Sequence, residues 1–369
     1  MRPRCEFGQP RTPKPSQERL SSMGRHRILF LYTELAGYFL SCVDELGESD
    51  WVEAVKIVHW PIHDEAPFEF GKKNAYSLLN KETLQGNELH DAVHQFQPTA
   101  IVCSGWIDSD YLKVARAWKK NIPVVVAFDN WWTGSWKQWG ASAMAPFTIQ
   151  RTFNRAWVAG APQIPLANKL GFSGKRLSVG VYCADPSPFL EVCRQRQQMD
   201  PVKKLVYVGR YLKLKGVADL WHDFAMLSPQ HPEWELHCIG TGELWGRRER
   251  HPKIIHHGFV QPRDMAPHLA NAAAVVIPSH KEPWGVVAHE MAIAGLPLLA
   301  SSSVGAASEF VEHGENGFIF ENGEMLNTMR IFLDSTDEVR ARMGAKSHQI
   351  GMRYQPKHWV SRLRQILNG

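Results

Sequence analysis

The sequence lacks three features that would each point to a particular class of protein. None of the six cysteines stands in a Cys-x-x-Cys pair, so neither a disulfide framework nor a zinc site is indicated, and reduced, buried thiols are expected. No apolar run approaches the roughly 18 residues that a membrane-spanning helix needs. Runs such as 123–128 and 272–278 have the length of a buried strand instead.

Beyond its first residues the chain also lacks a surplus of positive charge. Residues 1–27 hold seven basic and two acidic side chains, which account for the whole formal net charge of +5. The remainder is formally neutral, so a nucleic-acid-binding body is not indicated. Residues 1–24 are rich in proline and show no apolar periodicity, so they are predicted to be a disordered basic tail. Because Met23 could itself be the start, residues 1–22 are expected to be dispensable.

The remaining sequence alternates short apolar runs with helical patterns, and it does so twice. A chain of 369 residues suggests two domains, and apolar runs separated by helices indicate parallel sheets covered on both faces. The predicted fold is therefore α/β, with two doubly wound Rossmann-like domains facing a central cleft. The expected divisions are an N-terminal domain (25–185), a linker (186–203), a C-terminal domain (204–355) and a helix that returns to the N-terminal domain (356–369). The predicted strands are 28–32, 54–58, 99–103, 123–128, 156–159, 177–181, 204–208, 235–239, 254–260, 274–278, 297–301 and 318–320.

The most informative stretch runs from Ile277 to Pro297. A buried strand ends near Ser279, a short loop follows, and a helix opens near Gly285. Glycine allows a ligand close to the backbone, and the free amides of a helix start attract a diphosphate. Glu282 lies in the loop and Glu290 inside the helix, so the two carboxylates are predicted to enter one crevice at different depths.

At these residues the sequence resembles the retaining GT-B-fold glycosyltransferases with a Glu-x7-Glu motif, the family 4 (group 1) enzymes related to sucrose synthase and bacterial lipopolysaccharide glycosyltransferases. The resemblance covers residues 204–334. It continues through Gly209-Arg210, Lys215-Gly216, Gly240-x-Gly242, the stretch from His257 to Val260, and Gly314-x-Asn316-Gly317. It implies transfer of a sugar from a nucleotide-sugar donor, UDP- or GDP-linked, which is a substrate; no cofactor is implied.

The resemblance also assigns roles in the second domain. Arg210 and Lys215 are expected to contact the donor diphosphate, a role that suits their charge. Glu282 is expected to hold the transferred sugar, and Glu290 the ribose. The other residues expected to bind the donor are Gly209, Gly240, Val260, Trp284, Gly285 and Val286. No metal is implied, because the two cations and the helix start can meet the diphosphate charge.

The first domain carries less of the family pattern. Only Gly37 matches the glycine-rich loop that follows the first strand in the family, and an ordinary strand-to-helix turn is an equal alternative. Asp129 stands where many relatives have a histidine; it is a candidate to hydrogen-bond a sugar, to accept the acceptor's proton, or simply to cap the next segment.

Four tryptophans follow within nine residues, at 131, 132, 136 and 139. Trp131, Trp132 and Trp136 are predicted to bind the acceptor, because indole faces stack on sugars; core packing, a lid and a membrane contact are the alternatives. The acceptor is expected to be a carbohydrate, a glycolipid or another lipid-linked molecule, or a small molecule. The expected location is cytoplasmic, with peripheral contact at the inner membrane face as an option.

Two other functions share this architecture. A sugar-nucleotide epimerase would bind the same donor without an acceptor. A non-catalytic nucleotide-sugar-binding subunit would keep the donor site without turnover, and the missing histidine and the short glycine loop are the features that favour it.

Overall fold

Two parallel sheets form the framework of the protein. In the computed structural model, residues 25–61, 75–199 and 202–369 are described; the predicted tail at 1–24 lies outside them. The first sheet has seven strands in the order β3-β2-β1-β4-β5-β6-β7. Its strands are β1 (His26–Tyr32), β2 (Val52–His59), β3 (Ser77–Asn80), β4 (Ala100–Ser104), β5 (Val124–Phe128), β6 (Arg155–Val158) and β7 (Leu177–Val179).

The second sheet has six strands in the order β10-β9-β8-β11-β12-β13. Its strands are β8 (Lys204–Val208), β9 (Glu235–Ile239), β10 (Ile254–Gly258), β11 (Ala274–Ile277), β12 (Leu298–Ser301) and β13 (Gly317–Phe320). All strand pairs in both sheets are parallel, which confirms the predicted doubly wound α/β class.

Helices cover both faces of each sheet. In chain order, the α-helices of the described residues are α1 (Gly37–Gly47), α2 (Glu88–Phe96), α3 (Ser109–Trp118), α4 (Trp136–Met144), α5 (Ile149–Thr152), α6 (Ile164–Lys169), α7 (Pro186–Arg196), α8 (Val217–Leu227), α9 (Ala266–Leu269), α10 (Val286–Ile293), α11 (Ala307–Phe310), α12 (Met325–Leu333), α13 (Asp337–Gly351) and α14 (Pro356–Asn368).

Burial explains which strands could be predicted. Central strands such as β5 and β11 are buried at every position, and such strands read as continuous apolar runs. Strand β3 was not predicted, because it lies at the sheet edge, where its residues are exposed or half-buried. Cys42, Cys103, Cys183, Cys193 and Cys238 are free and buried, as expected.

The segment assigned to a linker is partly a packed helix. Residues 186–196 form α7, and Asp185 caps it by accepting a hydrogen bond from the Ser187 amide over 3.0 Å. Pro186 occupies the first helical turn, where proline is favoured. Phe189 and Val192 of this helix are buried, so the two sheets are joined by an element with its own core contacts.

The last helix lies against the first sheet. Trp359 of α14 is 1% exposed, donates from Nε1 to the Val181 carbonyl over 2.8 Å, and packs its ring 4.8 Å from that of Trp157. The first and the last described residues therefore both lie in the first domain.

The strand orders locate the ligand crevices. In the first sheet the order reverses between β1 and β4, and in the second between β8 and β11. Ligands of doubly wound sheets bind beyond the carboxyl ends of the strands at such switch points. A ligand site is therefore expected at the loops after β1, β4, β8 and β11.

Candidate functional site

The loop between β11 and α10 holds Glu282 in a fixed position. Its backbone amide donates to the Ser303 carbonyl over 3.1 Å, and its carbonyl accepts from the Gly305 amide over 3.0 Å. The Ser279 hydroxyl donates to Glu282 Oε2 over 3.1 Å. A carboxylate held by backbone on both sides and by a hydroxyl has little freedom to move when a ligand arrives.

Lys215 forms an ion pair with the same carboxylate oxygen of Glu282. Lys215 ends the short turn after β8, and that turn is attached to the Glu282 loop because the His280 amide donates to the Leu214 carbonyl over 3.0 Å. The structure thus brings together two residues that the sequence placed in separate motifs. In such a pair, the cation can bind a diphosphate while the carboxylate accepts hydrogen bonds from sugar hydroxyls.

Gly285 makes the turn from this loop into α10. Its φ is +90°, in the region that favours glycine, and a Cβ there would lie 2.8 Å from Glu282 Cγ. A side chain at this position would therefore displace Glu282. The first amides of α10, beginning with Val286, have no partners within the helix, as at any helix start.

A cavity of about 240 Å³ lies at the switch point of the second sheet, and we call it the second-domain cavity. Five of the predicted donor residues line it, namely Gly209, Arg210, Gly240, Val260 and Glu290. Gly240 is tightly packed, since a Cβ there would lie 1.9 Å from the Gly209 carbonyl oxygen. Two further wall residues, Glu34 from the first domain and Phe189 from α7, were not predicted as site residues.

Glu290 reaches this cavity from within α10. Burial raises the pKa of Glu290 to about 7, and the nearby charge of Asp185 adds to the rise. Ionisation of this carboxyl group is unfavourable in the ligand-free protein. Hydrogen bonds donated by a ligand stabilise the ionised form and therefore contribute strongly to binding.

Asp129 stands at the carboxyl end of β5, opposite the Glu282 loop. Burial raises the pKa of Asp129 to about 6; the charges of Glu282 and Glu34 raise it further, and that of Lys215 opposes them. Asp129 therefore interacts electrostatically with three charged groups around the cleft: Glu282, Glu34 and Lys215. A carboxyl group with a pKa raised in this way, lying among other charged groups in a cleft, is typical of an active site.

A larger cavity of about 850 Å³ opens in front of the first sheet, and we call it the first-domain cavity. Its polar wall comes from the strand ends and includes Glu34, Tyr38, Asp129 and Asn130. Glu34 lines both cavities, so they adjoin at this residue. Glu34 was not predicted as a site residue, although Glu34 follows the first strand, a position where functional side chains concentrate.

Gln163 connects the two halves of the site. It is 0% exposed, and its Nε2 donates to the Asp129 carbonyl over 2.9 Å and to the Pro283 carbonyl over 2.7 Å. Its Oε1 accepts from the Gly160 amide over 2.9 Å. No local sequence signal marks Gln163, because its role depends on two loops that are distant in the chain.

Other predicted residues lie elsewhere. Gly37 begins α1, and Trp284 turns its ring away, towards Gly160 and Phe310. Among the described residues, the walls of the two cavities include neither of these, nor Trp131, Trp132 or Trp136. The amide of Trp284 still precedes the helix start.

The tryptophan cluster divides into a packed and an exposed part. Trp132 packs against the first-sheet core and meets Trp139 edge to face at 5.1 Å, while Lys169 Nζ lies 4.6 Å from the Trp132 ring centroid. Trp136 is 80% exposed. Lys137 and Gln138, not the tryptophans, line the first-domain cavity from this segment.

The two histidines of the motif have structural partners. His289 is 1% exposed; its Nδ1 accepts from the Ala184 amide over 3.1 Å, and its Nε2 donates to the Gly351 carbonyl over 2.9 Å. Burial lowers the pKa of His289 to about 4, which keeps it neutral. His280 pairs with Asp219 at 2.5 Å.

The one Asp-x-Asp spacing in the sequence, Asp108-Ser109-Asp110, is a helix cap. Asp108 accepts from the amides of Asp110 and Tyr111 at 2.9 and 3.0 Å, and it pairs with Lys81. Within the described ranges, no group of three or more histidine, cysteine, aspartate or glutamate side chains is arranged to hold a metal ion.

Known proteins resemble the second domain in sequence. Residues 202–362 match the family model of glycosyl transferases group 1. A glycogen synthase from Mycobacterium tuberculosis is 37% identical over 121 residues, 31% of this chain and 29% of that enzyme. The chain therefore aligns with less than a third of the length of this curated relative.

Solved structures match over nearly the whole chain. HepE from Anabaena, in complex with UDP and glucose, superimposes with a TM-score of 0.69 and 17% identity, covering 94% of this chain and 100% of that one. Sucrose-phosphate synthase from Thermosynechococcus elongatus gives a TM-score of 0.67 and 16% identity, covering 92% and 98%. At these identities the likeness shows the GT-B fold alone.

Proposed function

We propose that this protein is a glycosyltransferase, because residues 202–362 match the family model of glycosyl transferases group 1 and the chain has the GT-B fold. It moves a sugar from a nucleoside-diphosphate donor to a hydroxyl of an acceptor held by the first domain. The observation that carries the proposal is the shared neighbourhood of Lys215, Glu282 and Asp129 across the cleft.

The second-domain cavity is the proposed donor site. Glu290 accepts hydrogen bonds from the ribose hydroxyls, and Arg210 stands in the same wall to meet the diphosphate. Lys215 and the first amides of α10 complete the diphosphate site. Glu282 accepts hydrogen bonds from hydroxyls of the transferred sugar, beside the bond that breaks.

The proposed reaction retains the configuration of the sugar. The bond from the anomeric carbon to the diphosphate oxygen breaks, and the acceptor oxygen bonds to that carbon on the same face. The acceptor's proton passes to the departing diphosphate, so no enzyme nucleophile is needed. Lys215, Arg210 and the helix start stabilise the charge that develops on the diphosphate, which is the main catalytic contribution.

Asp129 is proposed to orient the acceptor hydroxyl by accepting its hydrogen bond. Since its pKa is about 6, it is mostly ionised at neutral pH, and the rate should fall as the pH drops below about 6. Asp129→Asn should lower kcat and remove that dependence while leaving donor binding intact. A variant that keeps the wild-type pH profile would rule out this role.

Incubation with nucleotide sugars tests the proposal as a whole. A new glycoside together with free nucleoside diphosphate means a transferase; a changed sugar on an intact donor means an epimerase; binding without chemistry means a binding subunit. Thermal-shift measurements with UDP, GDP and ADP identify the base, because a ligand at 100 times its Kd stabilises a protein by about 2.7 kcal/mol.

Peripheral membrane contact is a second proposal, carried by helix α4 and the turn after it. Trp136, Trp139 and Phe147 are 80%, 57% and 61% exposed, and Lys137 lies beside Trp136, with Nζ 5.7 Å from the ring centroid. Exposed aromatic and basic side chains on a helix are typical of interfacial binding. Within the described ranges, no helix is both long and apolar enough to cross a bilayer.

A further inference from the structure

The first-domain cavity has two chemically different ends. Near the strand ends its wall holds Glu34, Asp129 and Asn130. Away from them the wall comes from α3, α4, α5, α6 and residues that flank α5 and α6, and it combines aliphatic side chains with the polar ones of Arg116, Lys137, Gln138, Thr148 and Thr152. The aliphatic wall residues are Leu112, Met144, Ile149, Leu166 and Leu170.

Helix α4 forms one side of this cavity with a single face. The wall residues Lys137, Gln138, Ala141 and Met144 recur at helical spacing. None of the residues of α4 is buried, so its inner face packs on no protein core. A helix with a bulky apolar side chain towards an open cavity lacks the contacts that normally stabilise it.

The chemistry of the wall discriminates between occupants. The aromatic wall residues Tyr32, Trp106, Phe128 and Tyr182 lie at or just after strand ends, so a polar or sugar-like head group at that end would meet aromatic faces together with hydrogen-bonding groups. The aliphatic side chains at the other end match an alkyl chain.

Two of the polar residues at the aliphatic end are already hydrogen-bonded. Arg116 donates to the Thr152 hydroxyl over 3.3 Å, and its stem is aliphatic; Gln138 donates to the Trp131 carbonyl over 2.8 Å and accepts from the Thr133 amide over 2.7 Å. Ile107, also in the wall, is 70% exposed.

We infer that the acceptor is an amphiphile, with its reactive hydroxyl beside Asp129 and an aliphatic chain in the cavity under α4. This inference rests on the proposed function, since it takes the acceptor hydroxyl to be placed opposite Glu282. It selects the lipid-linked class among the acceptors that the sequence left open. The apolar chain, not the polar head, supplies most of the binding free energy.

Calorimetric titration with 1-O-alkylglycerols below their micelle concentrations tests the inference without any transfer reaction. Each fully buried methylene tightens binding about fourfold. The octyl ether should therefore bind at least tenfold more tightly than the butyl ether, since part of the chain remains exposed. Equal affinity for the two ethers would overturn the inference.

Two variants on α4 show where the chain binds. Ala141 lines the cavity and Ala143 does not, and both are exposed on the same helix. Ala141→Glu places a charge in the path of the chain and should reduce octyl-ether binding at least tenfold, while Ala143→Glu carries the same charge outwards and should not. Equal effects of the two variants, or none, would mean that the ether binds elsewhere and would overturn the inference. Met144→Glu serves as a second cavity variant if Ala141→Glu does not fold.

Nucleoside diphosphate binding, measured in the same samples, separates this inference from the proposed function. Unchanged diphosphate binding with no dependence on chain length rejects the amphiphile and leaves the transferase proposal standing. Absence of diphosphate binding in the wild-type protein rejects the transferase proposal, whatever the ethers do.

Discussion

Gln163 donates a hydrogen bond of 2.7 Å to the carbonyl of Pro283, and this bond joins the first domain to the loop that carries Glu282. The same nitrogen also donates to the Asp129 carbonyl. One buried amide therefore sets the spacing between the backbone beside the presumed acceptor and the backbone beside the presumed donor sugar.

Gln163→Met tests this connection, because methionine keeps the shape of glutamine and removes its donors. Two carbonyls and the Gly160 amide lose their partner, so the variant should be less stable by about 1–3 kcal/mol. Its kcat should fall, while calorimetry should find nucleoside diphosphate affinity nearly unchanged, since Gln163 does not line the second-domain cavity. Gln197→Met, at an exposed position, is the matched control. Loss of diphosphate binding in Gln163→Met would contradict this account.

The two glutamates of the motif should separate in binding experiments. Glu290→Gln should weaken bare nucleoside diphosphate by about 1.5–3 kcal/mol, because a charged hydrogen bond to ribose is lost. Glu282→Gln should lower kcat severely and leave the bare diphosphate bound, because that ligand has no sugar for Glu282 to hold. Calorimetric titration of both variants decides the matter, and the opposite pattern would mean that the two roles are reversed.

Glu290 should also limit the stability of the ligand-free protein. Its folded-state pKa of about 7 lies above the ordinary value of 4.5, so the stability that it contributes below pH 4.5 is lost as the pH rises through 7. Glu290→Gln should therefore be more stable than wild type at pH 8, by about 1–3 kcal/mol, and should show little gain at pH 4.5. Thermal unfolding midpoints at the two pH values measure this, with Glu315→Gln as the exposed control. A gain that does not depend on pH would have another cause.

Lys215→Ala should weaken nucleoside diphosphate much more than the nucleoside. A charge-assisted contact is worth roughly 1.5–3 kcal/mol, and the nucleoside has no phosphate to lose. Lys213 lies on the same turn with an exposed side chain, so Lys213→Ala controls for general charge. Equal losses of nucleoside and diphosphate would mean that Lys215 does not contact phosphate.

Trp136→Ala should leave the melting temperature unchanged, because the side chain is 80% exposed and surface substitutions usually change stability by less than about 0.5 kcal/mol. It should reduce co-sedimentation with vesicles of anionic phospholipid. Met226, 57% exposed on the second domain, provides the control variant Met226→Ala. A sharp drop in melting temperature would show that Trp136 is part of the core, and unchanged sedimentation would reject the membrane contact.

The sequence was sufficient to predict the α/β fold and the order of elements around Glu282, because both depend on local patterns. A buried strand, a loop, a glycine and a helix follow one another in order around Glu282, so their order in the structure is the same as in the sequence. Strand β3 and helix α7 were not predicted, also for local reasons. The edge strand has no apolar run. The prolines of α7 stand at the start of the helix, where proline is favoured, whereas in a helix interior proline would break the helix.

The acceptor half could not be predicted in the same way. Glu34 and Gln163 enter the site through contacts between distant segments, and no spacing in the chain marks them. The tryptophans show the converse difficulty. Their residue type suggested sugar binding, but only the helical phase of α4 determines that Gln138 and Ala141 face the cavity while Trp136 faces outwards.

The position of Trp359 has a consequence for synthesis of the chain. It is buried in the first domain, 178 residues after its hydrogen-bond partner Val181. On the ribosome, the first domain must therefore wait with an open apolar face while the whole second domain is translated. A premature stop shortly before residue 356 would leave every residue of the proposed donor and acceptor sites in place and would still destabilise the N-terminal domain, so the codons for residues 356–369 contribute to the folding of that domain.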